Sequence, residues 1–151
     1  MKTAEDILRE KGRELVAVAP DTSVMDALRL MEEHRMGAIV VEKSNDLVGI
    51  WTERDLMRNT LEEAFDPVSD EIARYMQTDL KYCRHDETIY QLEDKFLGMR
   101  LRHLLVKKKR ECIGILSARD VMRMLLNDLH GKLDEANALA SWEYYENWRW
   151  R

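Results

Sequence analysis

Cysteine is scarce in this sequence, and the only two, Cys83 and Cys112, stand far apart. Two cysteines without a close-spaced partner argue against a disulfide framework and suit the reducing cytoplasm. Long apolar runs are also missing, since no stretch approaches the roughly 18 residues of a membrane-spanning helix. The first 11 residues are charged throughout, unlike a secretory signal peptide. These absences predict a cytoplasmic protein that makes no contact with a membrane.

The motifs of several enzyme and metal-binding classes are missing too. No glycine-rich phosphate loop of the Rossmann or P-loop type is present. The four histidines lack the spacing of a metal site, and Cys83 followed by His85 is a weak signal by itself. No serine, histidine and aspartate form a defensible catalytic set. We therefore predict a protein with no metal ion and no catalytic activity of its own.

Charge and length set further limits. A formal net charge of −5 gives no general attraction to nucleic acid or to an anionic membrane. The basic run Lys107–Arg110 falls on a predicted hairpin turn, so a solvated turn is favoured over a nucleic-acid patch. A chain of 151 residues fits one compact domain, or two small lobes that share a core.

What the sequence does contain is an internal repeat. The stretch Gly49–Asp55 returns 65 positions later as Gly114–Asp120, and the same shift aligns residues 16–58 with residues 81–123 without a gap. Identical pairs in this alignment include Asp21/Asp86, Arg35/Arg100, Val41/Val106, Gly49/Gly114, Ile50/Ile115, Arg54/Arg119, Asp55/Asp120, Met57/Met122 and Arg58/Arg123. The ungapped register indicates a tandem duplication.

Each copy has the pattern of a β-α-β-β-α unit. A capping-box spacing followed by an apolar stripe predicts an amphipathic helix between the first two strands, and short apolar runs predict the strands themselves. The predicted strands are Leu15–Ala19, Ala38–Glu42 and Leu47–Trp51 in the first copy, and Leu80–Cys83, His103–Lys107 and Cys112–Leu116 in the second. Closing helices are expected from about Glu53 and Ala118. Because one unit buries little apolar surface, the two are expected to pack sheet to sheet in an α+β fold.

The remaining segments are predicted to be helical. Asn59–Tyr75 has the pattern of a helical connector that contains Pro67. After Leu126, apolar residues continue at near-helical spacing, interrupted by Gly131, which predicts an appended helix. The predicted divisions are residues 1–61 for the first repeat, 62–127 for the connector and second repeat, and 128–151 for a helical tail.

Aromatic residues crowd the end of this tail. They are Trp142, Tyr144, Tyr145, Trp148 and Trp150. Aromatic side chains are enriched at interface hot spots, and an exposed patch of this density invites aggregation unless something covers it. We expect the tail to pack within a homodimer, with docking of a client protein as the alternative.

The two repeats resemble a known family. A duplicated β-α-β-β-α unit that closes on glycine, two apolar residues, Thr or Ser, any two residues and Asp resembles the CBS domain, and two in tandem resemble a stand-alone CBS pair, or Bateman module. The resemblance covers roughly residues 1–127. It implies two repeats packed about a pseudo-two-fold axis, frequent dimerisation into a flat disc, and clefts between the repeats that bind adenosine-containing ligands.

The resemblance also implies roles for individual residues. Asp55 and Asp120 would bind the ribose hydroxyls, and Thr52 and Ser117 would contact ribose or phosphate. The first strand of each repeat and the start of its second strand would line the adenine pockets, through Val16, Val18, Gly37, Ala38, Tyr82, Arg102 and His103. The implied ligands are AMP, ADP or ATP, with S-adenosylmethionine or NAD as further possibilities.

The residues themselves are compatible with this role. A carboxylate accepts hydrogen bonds from a cis-diol, and Arg54 and Arg119, one position before each Asp, suit a phosphate. A helix N-terminus offers free N–H groups to an anion, and Gly49 and Gly114 allow a close backbone approach. The two copies differ at the adenine pocket, where small Gly37-Ala38 contrast with bulkier Arg102-His103.

A purely structural interpretation stays open beside this one. Thr52-x-x-Asp55 and Ser117-x-x-Asp120 also have the spacing of ordinary capping boxes. Trp51 is assigned to the core in preference to stacking on a base. The favoured hypothesis is a regulatory module that binds an adenosine-containing ligand and signals to a partner. The alternative is a constitutive dimeric scaffold with vestigial clefts that acts through its aromatic tail.

Overall fold

The computed structural model describes residues 1–12 and 14–148, and the side chains of these residues up to residue 137. In chain order its helices are α1 (Ala4–Lys11), α2 (Val24–Glu33), α3 (Glu53–Asn59), α4 (Ile89–Gly98) and α5 (Ala118–Trp148). Its strands are β1 (Ala17–Val18), β2 (Ala38–Lys43), β3 (Asp46–Thr52), β4 (Tyr82–Arg84), β5 (His103–Lys108) and β6 (Glu111–Ser117). A single 3₁₀ turn, Ile72–Arg74, is found between the repeats within these residues.

The strands form two three-stranded sheets of the same design. In each, the first strand is parallel to the second, which pairs antiparallel with the third. Val41 faces Gly49 in the first sheet and Val106 faces Gly114 in the second, and the register shifts immediately after both valines. The predicted β-α-β-β-α repeat and its α+β class are therefore confirmed, down to an equivalent bulge.

The helix between the first two strands is capped as the sequence predicts. The Ser23 and Thr88 side chains each accept a hydrogen bond from a backbone N–H of the first turn of α2 and α4. Most of the apolar stripe that follows is buried: Val24, Ala27 and Met31 in α2, and Ile89, Leu92 and Phe96 in α4. Just beyond each helix, Arg35 and Arg100 adopt left-handed φ angles of 51° and 52°, so this identical pair marks an identical turn.

The two repeats have separate apolar cores, and each core includes the segment that precedes the other repeat. Ala4 and Ile7 of α1 are buried with the second repeat, beside Cys83 and Leu92. Ile72, from the segment between the repeats, is fully buried with the first repeat. We call α1 and residues 72–77 the lead-in segments. Their reciprocal exchange connects the two repeats and accords with the pseudo-two-fold relation that the family resemblance implies.

The connector is not helical as predicted. Within residues 60–75 only Ile72–Arg74 forms a helical turn, and turns dominate the rest. The Asp66 carboxylate accepts hydrogen bonds from the Val68 N–H and the Ser69 hydroxyl, and the Asp66 N–H donates to Asp70. Short polar side chains that bond to nearby backbone in this way favour turns over helix, and Pro67 adds to the effect.

The C-terminal tail is helical, but it is not a separate, appended helix. One continuous helix runs from Ala118 to Trp148, so α5 is both the closing helix of the second repeat and the tail. Gly131 does not interrupt it, because a glycine inside a helix costs only about 1 kcal/mol relative to alanine. The tail's aromatic side chains lie outside the described residues. Within the described part of the chain, no helix combines the length and apolarity that crossing a membrane requires.

Candidate functional site

The two signature stretches place equivalent turns at the start of α3 and α5. In the first, the Thr52 N–H and hydroxyl both lie 2.9 Å from Oδ2 of Asp55, and the Asp55 N–H donates back to the Thr52 hydroxyl. In the second, the Ser117 N–H and hydroxyl both lie 2.8 Å from Oδ2 of Asp120. Both are capping boxes, so the structural interpretation of this spacing is confirmed. Each aspartate is thereby fixed beside the strand that leads into its helix.

Asp55 is buried and held by an amide. Nε2 of Gln77 lies 2.7 Å from Oδ1 and 2.9 Å from Oδ2 of Asp55, and an Arg58 guanidinium nitrogen lies 3.6 Å from Oδ1. Gln77 is fixed because its backbone exchanges two hydrogen bonds with Ile50, of 2.7 and 2.9 Å. The first carboxylate is therefore covered by the segment that precedes the second repeat.

Asp120 is held by a cation from the opposite direction. Nζ of Lys11 lies 2.8 Å from Oδ2 of Asp120 and 3.1 Å from the carbonyl oxygen of Ile115, the repeat equivalent of Ile50. The side chains of Lys11 and Asp120 are only 22% and 17% exposed. Burial by itself raises the pKa of Asp120, but the hydrogen bonds from Lys11 and Ser117 outweigh it and hold that pKa below its usual range.

His103 lies close to this ion pair, opposite Ser117 in the β5–β6 register. Burial lowers the pKa of His103 to about 4, and the positive charge of Lys11 acts in the same direction. The imidazole is consequently neutral at physiological pH. Ala38, its counterpart, lies opposite Thr52 in the first repeat.

Gly37 and Arg102, the residues before Ala38 and His103, contact the first turn of the closing helix in their repeats. The Glu53 N–H donates to the Gly37 carbonyl at 3.0 Å, and the Ala118 N–H donates to the Arg102 carbonyl at 2.9 Å. The Glu53 carboxylate lies against Gly37, where a side chain at position 37 would come within 3.2 Å of it. The space beside Gly37 is therefore partly filled by an acid.

From the sequence, the two signature glycines were expected to allow a ligand to approach the backbone. In the structure a neighbouring segment of the chain packs against each glycine instead. A Cβ at Gly49 would overlap the Met76 side chain, and one at Gly114 would lie 2.7 Å from a Leu8 methyl carbon. Both Met76 and Leu8 belong to the lead-in segments. The glycines are required because these segments pack directly on the third strands.

Of the other predicted site residues, those on the first strands are held by packing, and the two signature arginines are exposed. Val18 is buried in the first core and Val16 packs against it, while the Tyr82 ring lies under the Lys107 ammonium at 4.7 Å. Arg54 and Arg119 are exposed, and no described residue forms an ion pair or hydrogen bond with either side chain. Trp51 is fully buried and its indole N–H donates to Asn59, which confirms its assignment to the core.

Three side chains were not predicted from the sequence: Lys11 contacts Asp120, Gln77 contacts Asp55, and Glu53 lies against Gly37. Lys11 and Gln77 come from lead-in segments outside the signature, and only the exchange of these segments brings them to the site. The alignment of the repeats offered one signal for Lys11, since it matches a charged residue to the apolar Met76.

Comparison with known proteins identifies the fold. The CBS domain family model matches residues 3–62 and 68–127. A 17.7 kDa protein from Acidianus ambivalens is 34% identical over 115 residues, which cover 75% of this chain and 68% of that protein.

Two crystal structures share the architecture. A CBS-domain-containing protein from Agrobacterium tumefaciens is 31% identical with a TM-score of 0.76, over 82% of this chain and 98% of that one. The structure of CBSX2 in complex with AMP is 25% identical with a TM-score of 0.68, over 84% of this chain and 98% of that one. With two matched domains, reciprocal lead-in segments and paired signature turns, this chain belongs to the CBS-domain family as a tandem pair.

Proposed function

We propose that this protein is a regulatory module that binds an adenosine-containing ligand, with AMP, ADP or ATP favoured, between its repeats and passes its state to a partner. One observation carries the proposal: each signature aspartate is bound by a side chain from the segment that precedes the other repeat. A ligand that hydrogen-bonds to either carboxylate must compete with or adjust to that contact. CBSX2, which has the same architecture, was crystallised with AMP, and this supports the choice of ligand.

The coupling to a partner follows from the same contacts. A ligand shifts a conformational equilibrium only by the difference in its affinity for the two states. Here a ligand at Asp55 replaces the Gln77–Asp55 hydrogen bonds, and a ligand at Asp120 binds beside the Lys11–Asp120 ion pair. Both contacts link the segment that precedes one repeat to the other repeat. The ligand thereby changes the energy of a contact between repeats, and the protein regulates by changing their arrangement without catalysing a reaction.

Both cysteines are free thiols, and burial raises the pKa of the Cys83 thiol to about 12. Unpaired, unreactive thiols of this kind support a reducing location, for which we propose the cytoplasm.

Calorimetric titration with AMP, ADP, ATP, NAD and S-adenosylmethionine tests the proposal. Asp55→Asn and Asp120→Asn keep the size and much of the capping role of each side chain while removing the negative charge that binds the ribose hydroxyls. Asp46→Asn, at an exposed hairpin position, is the matched control. We expect saturable binding of at least one ligand that is weakened by one signature variant and unchanged in the control. A folded wild-type protein that binds none of the five contradicts the proposal.

A second candidate function, a homodimeric scaffold, is favoured by the exposed face of α5. Its described part carries four apolar side chains at the spacing of a helix seam, each at least 50% exposed: Met122, Leu126, Leu129 and Leu133. Met57 and Leu61, the repeat equivalents of Met122 and Leu126, are exposed in the same way. Two equivalent apolar faces related by a pseudo-two-fold suit the self-complementary interface of a dimer.

Light scattering on a variant truncated after residue 130, and on Leu129→Glu, distinguishes the two functions. A scaffold that works through α5 loses its dimer in both variants. A sensor that works through its clefts retains ligand binding in both. Monomeric wild-type protein contradicts the scaffold and leaves the ligand-binding proposal to be judged by calorimetry.

A further inference from the structure

We propose that the two clefts are specialised by charge: the cleft at Asp120 receives the phosphate-bearing adenosine ligand, and Lys11 is the residue that selects it. The cleft at Asp55 favours an adenosine-containing ligand without a phosphate group near the carboxylate. The inference rests on the proposed function, since it assigns ligand classes to the same two clefts.

Lys11 is held in place by the structure around it. It lies in the last turn of α1, which Gly12 closes with a left-handed φ of 60° and a hydrogen bond to Leu8. The start of α1 is fixed to the second repeat, since the Ala4 N–H donates to Glu87 and the Glu5 carboxylate contacts both Lys108 and His85. A cation on an anchored helix loses little side-chain freedom when an anion binds, and this favours selective binding.

The ion pair leaves one oxygen of the Asp120 carboxylate available to a ligand. Lys11 and Ser117 both contact Oδ2 of Asp120, and no described residue donates a hydrogen bond to Oδ1. A ribose hydroxyl can therefore approach Oδ1 while the ammonium remains on Oδ2. In this position the ammonium offsets the negative charge of Asp120, which would otherwise repel a phosphate group.

The first cleft lacks this cation. The repeat equivalent of Lys11 is Met76, whose side chain packs over Gly49. The group on the carboxylate of Asp55 is instead the neutral amide of Gln77, which contacts both oxygens. Since Gln77 is exposed, a ribose can displace its side chain, but no ammonium is left beside the ligand.

Two more repeat-equivalent positions differ in charge in the same direction. Glu53 in the first cleft corresponds to Ala118 in the second, so the second cleft lacks an acid. Gly37 corresponds to Arg102, so the second cleft gains a base. The backbone hydrogen bonds between these positions, of 3.0 Å for Glu53 to Gly37 and 2.9 Å for Ala118 to Arg102, place them equivalently.

The arginines of the two signatures are the other nearby cations. The Arg58 guanidinium lies 3.6 Å from Oδ1 of Asp55, but its side chain is 62% exposed, whereas that of Lys11 is 22% exposed. Arg54 and Arg58 in the first signature are identical to Arg119 and Arg123 in the second. Of the residues that differ in charge between equivalent positions of the two clefts, Lys11, Glu53, Lys81 and Arg102, only Lys11 contacts a signature carboxylate. Fixed, partly buried charges act on a ligand more strongly than exposed ones, because water and salt screen them less.

The test compares AMP with adenosine, which differ only in the phosphate group. Both are titrated into the full chain and into Lys11→Met, which places the first cleft's residue in the second. Lys11→Arg is the charge-preserving variant, and Lys43→Met, at an exposed hairpin lysine, is the control. We expect Lys11→Met to weaken AMP binding about tenfold or more and adenosine binding by less than about threefold, since charge-assisted contacts are the strong ones. Lys11→Arg should keep most of the preference for AMP.

A second variant tests the first cleft. Glu53→Ala gives it the residue of the second cleft, and we expect its affinity for AMP to rise while its affinity for adenosine stays within about twofold. Unfolding of each variant is followed by circular dichroism, so that loss of the fold is recognised as such.

The possible outcomes separate the inference from the proposed function. An unchanged ratio of AMP to adenosine affinity in Lys11→Met overturns the inference, as does loss of AMP binding in Asp55→Asn with retention in Asp120→Asn. In either case adenosine-ligand binding itself stands. If the folded wild-type protein binds neither AMP nor adenosine, the proposed function fails, and this inference fails with it.

Discussion

Ile7 and Ile72 occupy equivalent positions in the two lead-in segments, and each is buried in the core of the repeat that it does not precede. Ile7 is 2% exposed among residues of the second repeat, and Ile72 is fully buried among residues of the first. The chain thus builds each core from two distant segments. Lys11 follows Ile7 by four residues, and Gln77 follows Ile72 by five. Under the proposed function, packing and ligand recognition are therefore linked.

The exchange predicts a selective effect of core mutations. Ile7→Ala should destabilise the protein by about 2–4 kcal/mol through the cavity it leaves, and should loosen the second repeat first. Cys83 reports this, since its buried thiol lies in the same core as Ile7 and is protected in the native protein. We expect faster labelling of Cys83 by a thiol reagent in Ile7→Ala than in Ile72→Ala, although both variants lose similar stability. Equal labelling rates would show that the lead-in segments do not belong to separate cores.

The signature glycine of the second repeat gives a second prediction. Gly114→Ala should destabilise the protein by about 1–3 kcal/mol, because its Cβ would lie 2.7 Å from a Leu8 methyl carbon. Leu8→Ala in the same chain removes that methyl group, so the double variant should recover part of the loss. Denaturant unfolding of the two single variants and the double variant measures the coupling. Simple additivity would mean that Gly114 does not serve the packing of α1.

A third prediction concerns pH. The pKa of His103 is about 4 in the folded chain, against an ordinary value near 6.5, and the charged groups that act on it are Lys11, Asp120, Arg102 and Asp55. Between these two values the unfolded chain binds a proton that the folded chain does not, so stability falls as the pH drops from about 6.5 towards about 4. The loss amounts to about 3 kcal/mol at the acid end of this window.

His103→Ala, which places the first repeat's residue in the second, should remove this part of the pH dependence. Urea unfolding of both proteins at pH 7 and pH 4.5 measures the difference. The remaining histidines and carboxylates are common to both proteins and cancel in the comparison. An identical pH dependence in wild type and variant would contradict the burial of a neutral imidazole at this position.

The sequence predicted the repeat and its elements because local signals for them are strong. Short apolar runs, the N-cap residues Ser23 and Thr88, and the register of Gly49 with Gly114 all specify structure within a few residues. Asp55 and Asp120 were chosen as site residues because the signature that contains them resembles that of the CBS domain. Their immediate surroundings could not be predicted, because Gln77 and Lys11 arrive from segments that no local pattern assigns to the opposite repeat.

The two errors in the fold have physical causes of their own. Asn59–Tyr75 contains polar residues that were expected to extend a helix, but Asp66 and Asp70 bind nearby backbone and form turns. Gly131 was expected to interrupt the tail, but neighbouring residues favour helix strongly enough to continue through it. Composition alone does not distinguish the connector from the tail. Side-chain hydrogen bonds prevent a helix in the connector, and helix cooperativity carries the tail through Gly131.

The proposed site for an adenosine-containing ligand is at the signature aspartates between the repeats. A crystal structure of the full chain grown with AMP tests it most directly. We predict ribose hydroxyls within hydrogen-bond distance of Oδ1 of Asp120, and the phosphate group on the same side as the Lys11 ammonium. AMP bound away from both Asp55 and Asp120, or no bound AMP at saturating concentration with the Lys11–Asp120 ion pair intact, would contradict the account.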